Sequence, residues 1–213
     1  VIDTHINRLI ETNNMPNLRS SINLLISLSV ISIFFNSNIS YAANSRFGPL
    51  RSFGDAMQVA NPLIATAIAS QEKGAGHFAI IYGQAFVIMY GTKLIAKSGK
   101  WSVSKRPHIE GKKDRFEGMP SGHTTSAWSA AAYVRTFSQD YKMLSIPLYI
   151  TAAVTGYSRI HSKEHTTAQV VAGAVLAEAV TYVNSKLDWS NEYRSANFSF
   201  NEKGGVASFV FKF

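Results

Sequence analysis

Three short segments gather the residue types that phosphoryl chemistry needs. They are residues 100–107, which hold Lys100, Lys105, Arg106 and Pro107; the tetrapeptide Pro120-Ser121-Gly122-His123; and residues 158–169, which hold Ser158, Arg159, His165 and Gln169. Two histidines can divide the labour of a displacement at phosphorus, one attacking and the other protonating the departing oxygen. Arg106 and Arg159 each offer a planar fork that matches phosphate oxygens, and Lys97 or Lys100 adds a point charge from the same basic stretch. Such cations stabilise the charge spread over the equatorial oxygens, a role that metals play elsewhere. Any one segment alone is a weak signal. Pro-Ser-Gly-His also reads as an ordinary turn into a helix, with Ser121 as its N-cap.

The elements that would have to position these residues are helical. Apolar patterning predicts helices over 53–70, 75–97, 123–137, 143–159 and 166–187, with Asn61-Pro62 as a break or kink in the first. A polar loop over 98–120 is too long for a bare connector. In this reading His123 and His165 each sit at the start of a helix, where unpaired N–H groups and the positive end of the dipole favour an anion. The C-terminus changes period: residues 194–200 and 206–213 alternate around turn chemistry at 201–205, which predicts a β-hairpin with Phe209, Phe211 and Phe213 on one face. An isolated hairpin is marginal in water, so that face must pack on the helical core, a membrane surface or a partner.

The ordered set of segments resembles the signature of the superfamily of type 2 phosphatidic acid phosphatases, bacterial class A acid phosphatases and vanadium haloperoxidases. Its pattern is Lys-x6-Arg-Pro, then Pro-Ser-Gly-His, then Ser-Arg-x5-His-x3-Asp, and the likeness spans about residues 93–180. The resemblance implies an all-α helical bundle and a phosphatase working through a phosphohistidine without metal or other cofactor. It makes His165 the nucleophile and His123 the general acid. Arg106, Arg159, a lysine, Ser121 and the Gly122 backbone N–H would hold the phosphate.

Two departures from the pattern stand out. Lys100 has five residues between it and Arg106 where the pattern has six, and Lys97 has eight, so either lysine is a candidate. Gln169 occupies the place of the aspartate that orients the nucleophile. An amide oxygen can accept the imidazole Nδ1–H bond but supplies no charge to an imidazolium, so Gln169→Asp is expected to raise or preserve turnover. His161 and His165, four apart, could share a metal if their turn were helical, but no cysteine, HExxH or carboxylate cluster supports a metal site. His77 and Trp101 read as packing residues.

Composition narrows the setting. Hydrophobic residues are 46% and charged residues 16% of the 213, the formal net charge is +8, and there is no cysteine, which excludes disulfides and thiolate metal sites. Lys93, Lys97, Lys100, Lys105, Arg106, Lys112, Lys113 and Arg115 face only Glu110 and Asp114 across the middle of the chain. This points to an anionic substrate; no nucleic-acid motif accompanies the charge. Residues 15–42 read as a secretory signal, with an apolar run over 22–35 and small residues at Ser40 and Ala42. The expectation is cleavage after Ala42, with residues 1–14 an upstream extension, then a helical phosphatase domain over 43–190 and the hairpin over 191–213. The protein would be periplasmic, either soluble or peripherally associated with the membrane, acting on a phosphorylated lipid such as phosphatidate, phosphatidylglycerol phosphate, a polyprenyl diphosphate or a lipopolysaccharide phosphate. A small phosphate ester ranks second as substrate. The competing reading, motivated by Gln169, is a catalytically silent protein that binds anionic lipid at the membrane surface.

Overall fold

The computed structural model describes residues 48–108 and 113–187, together with the backbone of 195–201 and 204–210. Five helices carry the site: α1 Pro49–Glu72, α2 Ala75–Ser98, α3 Gly122–Phe137, α4 Ser145–His161 and α5 Thr167–Lys186. Single 3-10 turns lie at Ser102–Ser104 and Lys142–Leu144. The signal segment, the proposed cleavage after Ala42, Glu110 and Lys112 lie outside the described residues. Of the expected hairpin only backbone is described, as β1 Ser195–Asn201 pairing antiparallel with β2 Gly204–Val210.

Helix α3 is the hub, packed against α1, α4, α5 and α2. Its buried positions are mostly small: Thr124, Thr125, Ser126, Ala127, Ser129, Ala130, Ala131 and Ala132. Small side chains let neighbouring helix backbones come close, so the first turn of α3 can be surrounded on several sides at once. Farther along, Tyr133 and Val134 join Ala65, Ile68, Phe78, Ile81, Ala85, Leu148 and Val180 in a contiguous apolar core. His77 belongs to that core, with Nδ1 2.8 Å from the Tyr133 hydroxyl and its ring edge-on to Phe137. Trp101, in contrast, is 46% exposed and not a core residue. It stands on the loop beyond α2, at the start of the 3-10 turn Ser102–Ser104.

Pro62 does not break α1, which runs unbroken to Glu72. A proline lacks the N–H that would bond the carbonyl four residues back, here Gln58. The hydroxyl of Ser126 donates to that carbonyl instead, satisfying the orphan from the neighbouring helix. Asn61 adds a second tie. Its buried amide nitrogen donates to the carbonyls of Ala127 and Leu148 at 3.3 and 3.2 Å, joining α1 to α3 and α4. Gly54 completes the approach: a Cβ there would collide with Ser158 and with the Arg159 guanidinium. The close contact of α1 with α4 sets Asp55 beside Arg159.

The long loop between α2 and α3 is held by its own backbone. Arg106 N–H donates to the Arg115 carbonyl at 2.8 Å and Gly118 N–H to the Ser104 carbonyl at 2.8 Å. Met119 N–H donates to the Ser104 hydroxyl at 2.9 Å. These bonds tie residues 104–106 to residues 115–119 and carry Arg106 inward.

Candidate active site

The three segments converge on one pocket of about 380 Å³, whose lining includes His123, His165, Arg106, Arg159, Gly122 and Lys93. Each is delivered by a different local device. Gly122 and His123 form the first turn of α3. Ser121 takes the N-cap position of α3 but its hydroxyl makes no capping bond; it is fully buried and accepts from Thr124 Oγ1 at 3.1 Å. Arg159 lies in the last turn of α4. There the chain turns through Lys163 at φ 56°, with the N–H groups of Glu164 and His165 both donating to the Arg159 carbonyl. That left-handed closing turn ends the helix and brings His165 to the pocket just before Thr166 caps α5. His161, the last residue of α4, is exposed and shares no helix with His165, so the geometry needed for a shared metal does not form.

His165 is 4% exposed. Burial first, then the charge of Arg106, push its pKa down to about 3, partly offset by a hydrogen bond to Gln169. The imidazole is therefore neutral across the physiological range. Its Nδ1 lies 3.0 Å from Gln169 Oε1. Gln169 is fully buried and bonds to all three segments. Its Nε2 donates to the Val103 and Lys105 carbonyls at 3.3 and 2.8 Å, and its own carbonyl accepts from Ser121 N–H at 2.9 Å.

His123 is held differently. Its side chain is 29% exposed, and Nε2 lies 3.0 Å from Asp55 Oδ1. The same carboxylate oxygen accepts from Arg159 Nη1 at 2.7 Å. Burial alone would raise Asp55, but the hydrogen bond from His123 and the charge of Arg159 outweigh it and hold the carboxyl below its ordinary value. Arg159 is 2% exposed, with Nη2 donating to the Arg51 carbonyl at 2.7 Å and Nε to Ser158 Oγ at 3.0 Å. Its fork is fixed before any ligand arrives.

The lysine at the pocket is neither of the two expected. Lys97 and Lys100 are exposed and do not line it. Lys93 does, with Nζ donating to the Glu117 carbonyl at 2.9 Å. Burial first, then the charge of Arg106, push its pKa down to about 8, against an opposing pull from Glu117. The physical reason is position along the helix. Phe86, Met89, Tyr90 and Lys93 all line the pocket from one face of α2, and Lys97, four residues farther on, stands about 6 Å along the axis, beyond the pocket.

Acidic partners temper the positive charge. Glu164 Oε2 lies 3.2 Å from Arg106 Nη1, and Glu164 Oε1 lies 3.1 Å from Arg51 Nη2. Glu117 lies 3.3 Å from Arg106 Nε, and Lys105 pairs with Asp114 at 2.7 Å. Asp55, Glu164 and Glu117 escaped the sequence reading because none falls at a motif position. For Asp55 there was one signal: it is the sole acid in the first 23 residues of α1. Among the described residues no group of three His, Cys, Asp or Glu side chains is placed to hold a metal.

A segment of 104 residues is 32% identical to lipid A 4'-phosphatase of Helicobacter pylori strain J99, covering 49% of this chain and 48% of that protein. The chain thus matches about half the length of that relative. No solved structure matches. The sequence profile of the PAP2 superfamily matches residues 75–193, which include α2, both histidines, Arg106, Arg159 and α5, and the chain belongs to that superfamily.

Proposed function

We propose that the protein is a metal-independent phosphatase that removes a phosphomonoester group from a lipid through a phosphohistidine on His165. The observation that carries the reading is the pairing, in one pocket, of a neutral buried histidine with a second histidine and the cationic side chains of Lys93, Arg106 and Arg159. In the first step His165 Nε2 attacks phosphorus and the bond from phosphorus to the leaving oxygen breaks. His123 gives its proton to that oxygen, so the alcohol leaves neutral. In the second step His123 takes a proton from water, the hydroxide attacks the phosphohistidine, and inorganic phosphate departs. Arg106, Arg159 and Lys93 hold the equatorial oxygens, with the Gly122 backbone N–H at the start of α3.

A lipid substrate is favoured by three features. The pocket is walled on one side by Phe86, Met89 and Tyr90 of α2. The outer face of the same helix exposes Val87, Ile88, Leu94 and Ile95, and α2 is the one helix among the described residues long and apolar enough to cross a membrane. The named activity of the Helicobacter relative makes a glycolipid phosphate the first substrate to test. Export, a phosphatase domain over 43–190 and membrane contact through α2 and the hairpin belong to the same proposal. A silent lipid-binding role is disfavoured because the Gln169 amide oxygen makes the bond that the nucleophile requires.

The test is phosphate release in the presence of chelator, from lipid A, phosphatidate and a soluble aryl phosphate, comparing wild type with His165→Ala. Release by wild type alone, fastest on a lipid, is the expected result. Equal release by both proteins, or none from any substrate, would overturn the reading.

A further inference from the structure

We infer that Gln169 is a positioning residue whose amide oxygen holds His165 in the attacking tautomer and whose NH2 group, which no carboxylate could supply, ties it to the loop that carries Arg106. The inference deepens the phosphatase reading and rests on it for the step that His165 performs. The tautomer itself follows from contacts alone.

An amide has two ends, and its partners decide which is which. Val103 and Lys105 present carbonyl oxygens, which only accept, so the end facing them is the NH2 group. The oxygen then faces His165 Nδ1 at 3.0 Å and the Thr166 N–H at 3.3 Å. That oxygen can only accept, so Nδ1 carries the imidazole proton. Nε2 is left with its lone pair, which is the form a nucleophile needs. The amide is fully buried and its four polar contacts are all matched in sign.

A carboxylate at this position breaks the match. Glutamate would set an oxygen against the Val103 and Lys105 carbonyls with no proton between them, leaving three acceptors in a buried site. Aspartate is a methylene shorter and cannot span from Nδ1 to the loop. There is no room for a larger rearrangement: a Cβ on Gly118 would lie 2.6 Å from both ends of the amide and from the Ser104 carbonyl. The loop contact also has a consequence for substrate binding. Lys105 immediately precedes Arg106, so a phosphate that pulls on Arg106 acts on the backbone that Gln169 holds. The expectation that Gln169→Asp raises or preserves turnover is thereby reversed.

Two arms test this. In the first, wild-type protein labelled with 15N at histidine is examined by NMR at neutral pH. His165 with a protonated Nδ1 and a bare Nε2 is expected; a proton on Nε2 overturns the inference. In the second, Gln169→Glu and Gln169→Asp are assayed with chelator from about pH 5 to 9. Both should lose about 10- to 100-fold in kcat/KM at neutral pH, because losing or reversing the bonds to the Val103 and Lys105 carbonyls costs about 1–3 kcal/mol and loosens the backbone beside Arg106. A carboxylate still accepts from Nδ1–H, so the tautomer itself should not change. Gln169→Glu should recover towards acid pH, because a protonated carboxyl donates to Lys105 and accepts from His165 as the amide does. Other charged groups bearing on that titration are Arg106, Lys93 and His123 around His165, with Glu117 and Glu164 holding Arg106. Either variant matching wild type across the range would overturn the inference. Should both variants fail to fold, the wild-type tautomer still decides. Wild type and His165→Ala alike releasing no phosphate would instead remove the phosphatase reading, and the NMR arm would still rule on what Gln169 does.

Discussion

The two histidines of the pocket are held by opposite means. His165 is almost fully buried, neutral and backed by an uncharged amide. His123 is partly open to solvent and bonded to a carboxylate that also holds Arg159. The difference suits different tasks. A nucleophile needs an unprotonated nitrogen aimed at phosphorus, and burial with a fixed hydrogen bond supplies both. A general acid needs access to the leaving group and to water, which a place at the open edge of the pocket supplies. Environment, more than residue type, separates the two roles.

Loss of the proposed nucleophile is the largest expected effect. His165→Ala should lower kcat by about 10⁴-fold or more for every substrate, good or poor leaving group alike. His123→Ala should behave differently. With a lipid alcohol as leaving group the loss should be about 10²- to 10⁴-fold, the usual contribution of general acid catalysis. With an aryl phosphate, whose leaving oxygen needs no proton, the first step should be nearly spared. If both variants lose the same factor on both substrates, the division of labour is wrong.

Asp55→Asn comes next. It removes the charge that His123 and Arg159 share while keeping the shape. One charge-assisted hydrogen bond is worth about 1.5–3 kcal/mol, so a fall of about 10- to 100-fold in kcat/KM is expected. An unchanged rate would reduce Asp55 to a surface acid. The smallest effect is a pH limb. Lys93 is charged below about 8 and neutral above it, so its help to the phosphate is present at neutral pH and fades as pH rises through 8. An alkaline fall in kcat/KM that disappears in Lys93→Arg is the expected outcome. The same fall in Lys93→Arg would assign that limb to another group.

The helices, both histidines and both arginines were legible from sequence because they are local: apolar period marks the helices, and the three segments keep their spacing. What was not legible is what crosses the bundle. Asp55 meets His123 and Arg159 only because Gly54 lets α1 close on α4. The lysine differs from the expected one because spacing from Arg106 along the chain does not say which turn of α2 lies beside the pocket; that is the turn of Lys93. Gln169 looked like a weakened aspartate because its partners are backbone carbonyls 66 and 64 residues away, and backbone leaves no mark in a residue pattern. Pro62 looked like a break because the hydroxyl that rescues its orphaned carbonyl belongs to another helix.

The central claim is a phosphoryl group on His165. Its most direct test is mass spectrometry of protein quenched in base during turnover of an aryl phosphate, using His123→Ala so that hydrolysis of the intermediate is slowed more than its formation. The account predicts one added phosphoryl group, alkali-stable and acid-labile, located at His165 and absent from the double variant that also carries His165→Ala. Turnover with no label on the protein, or label on any other residue, would contradict it.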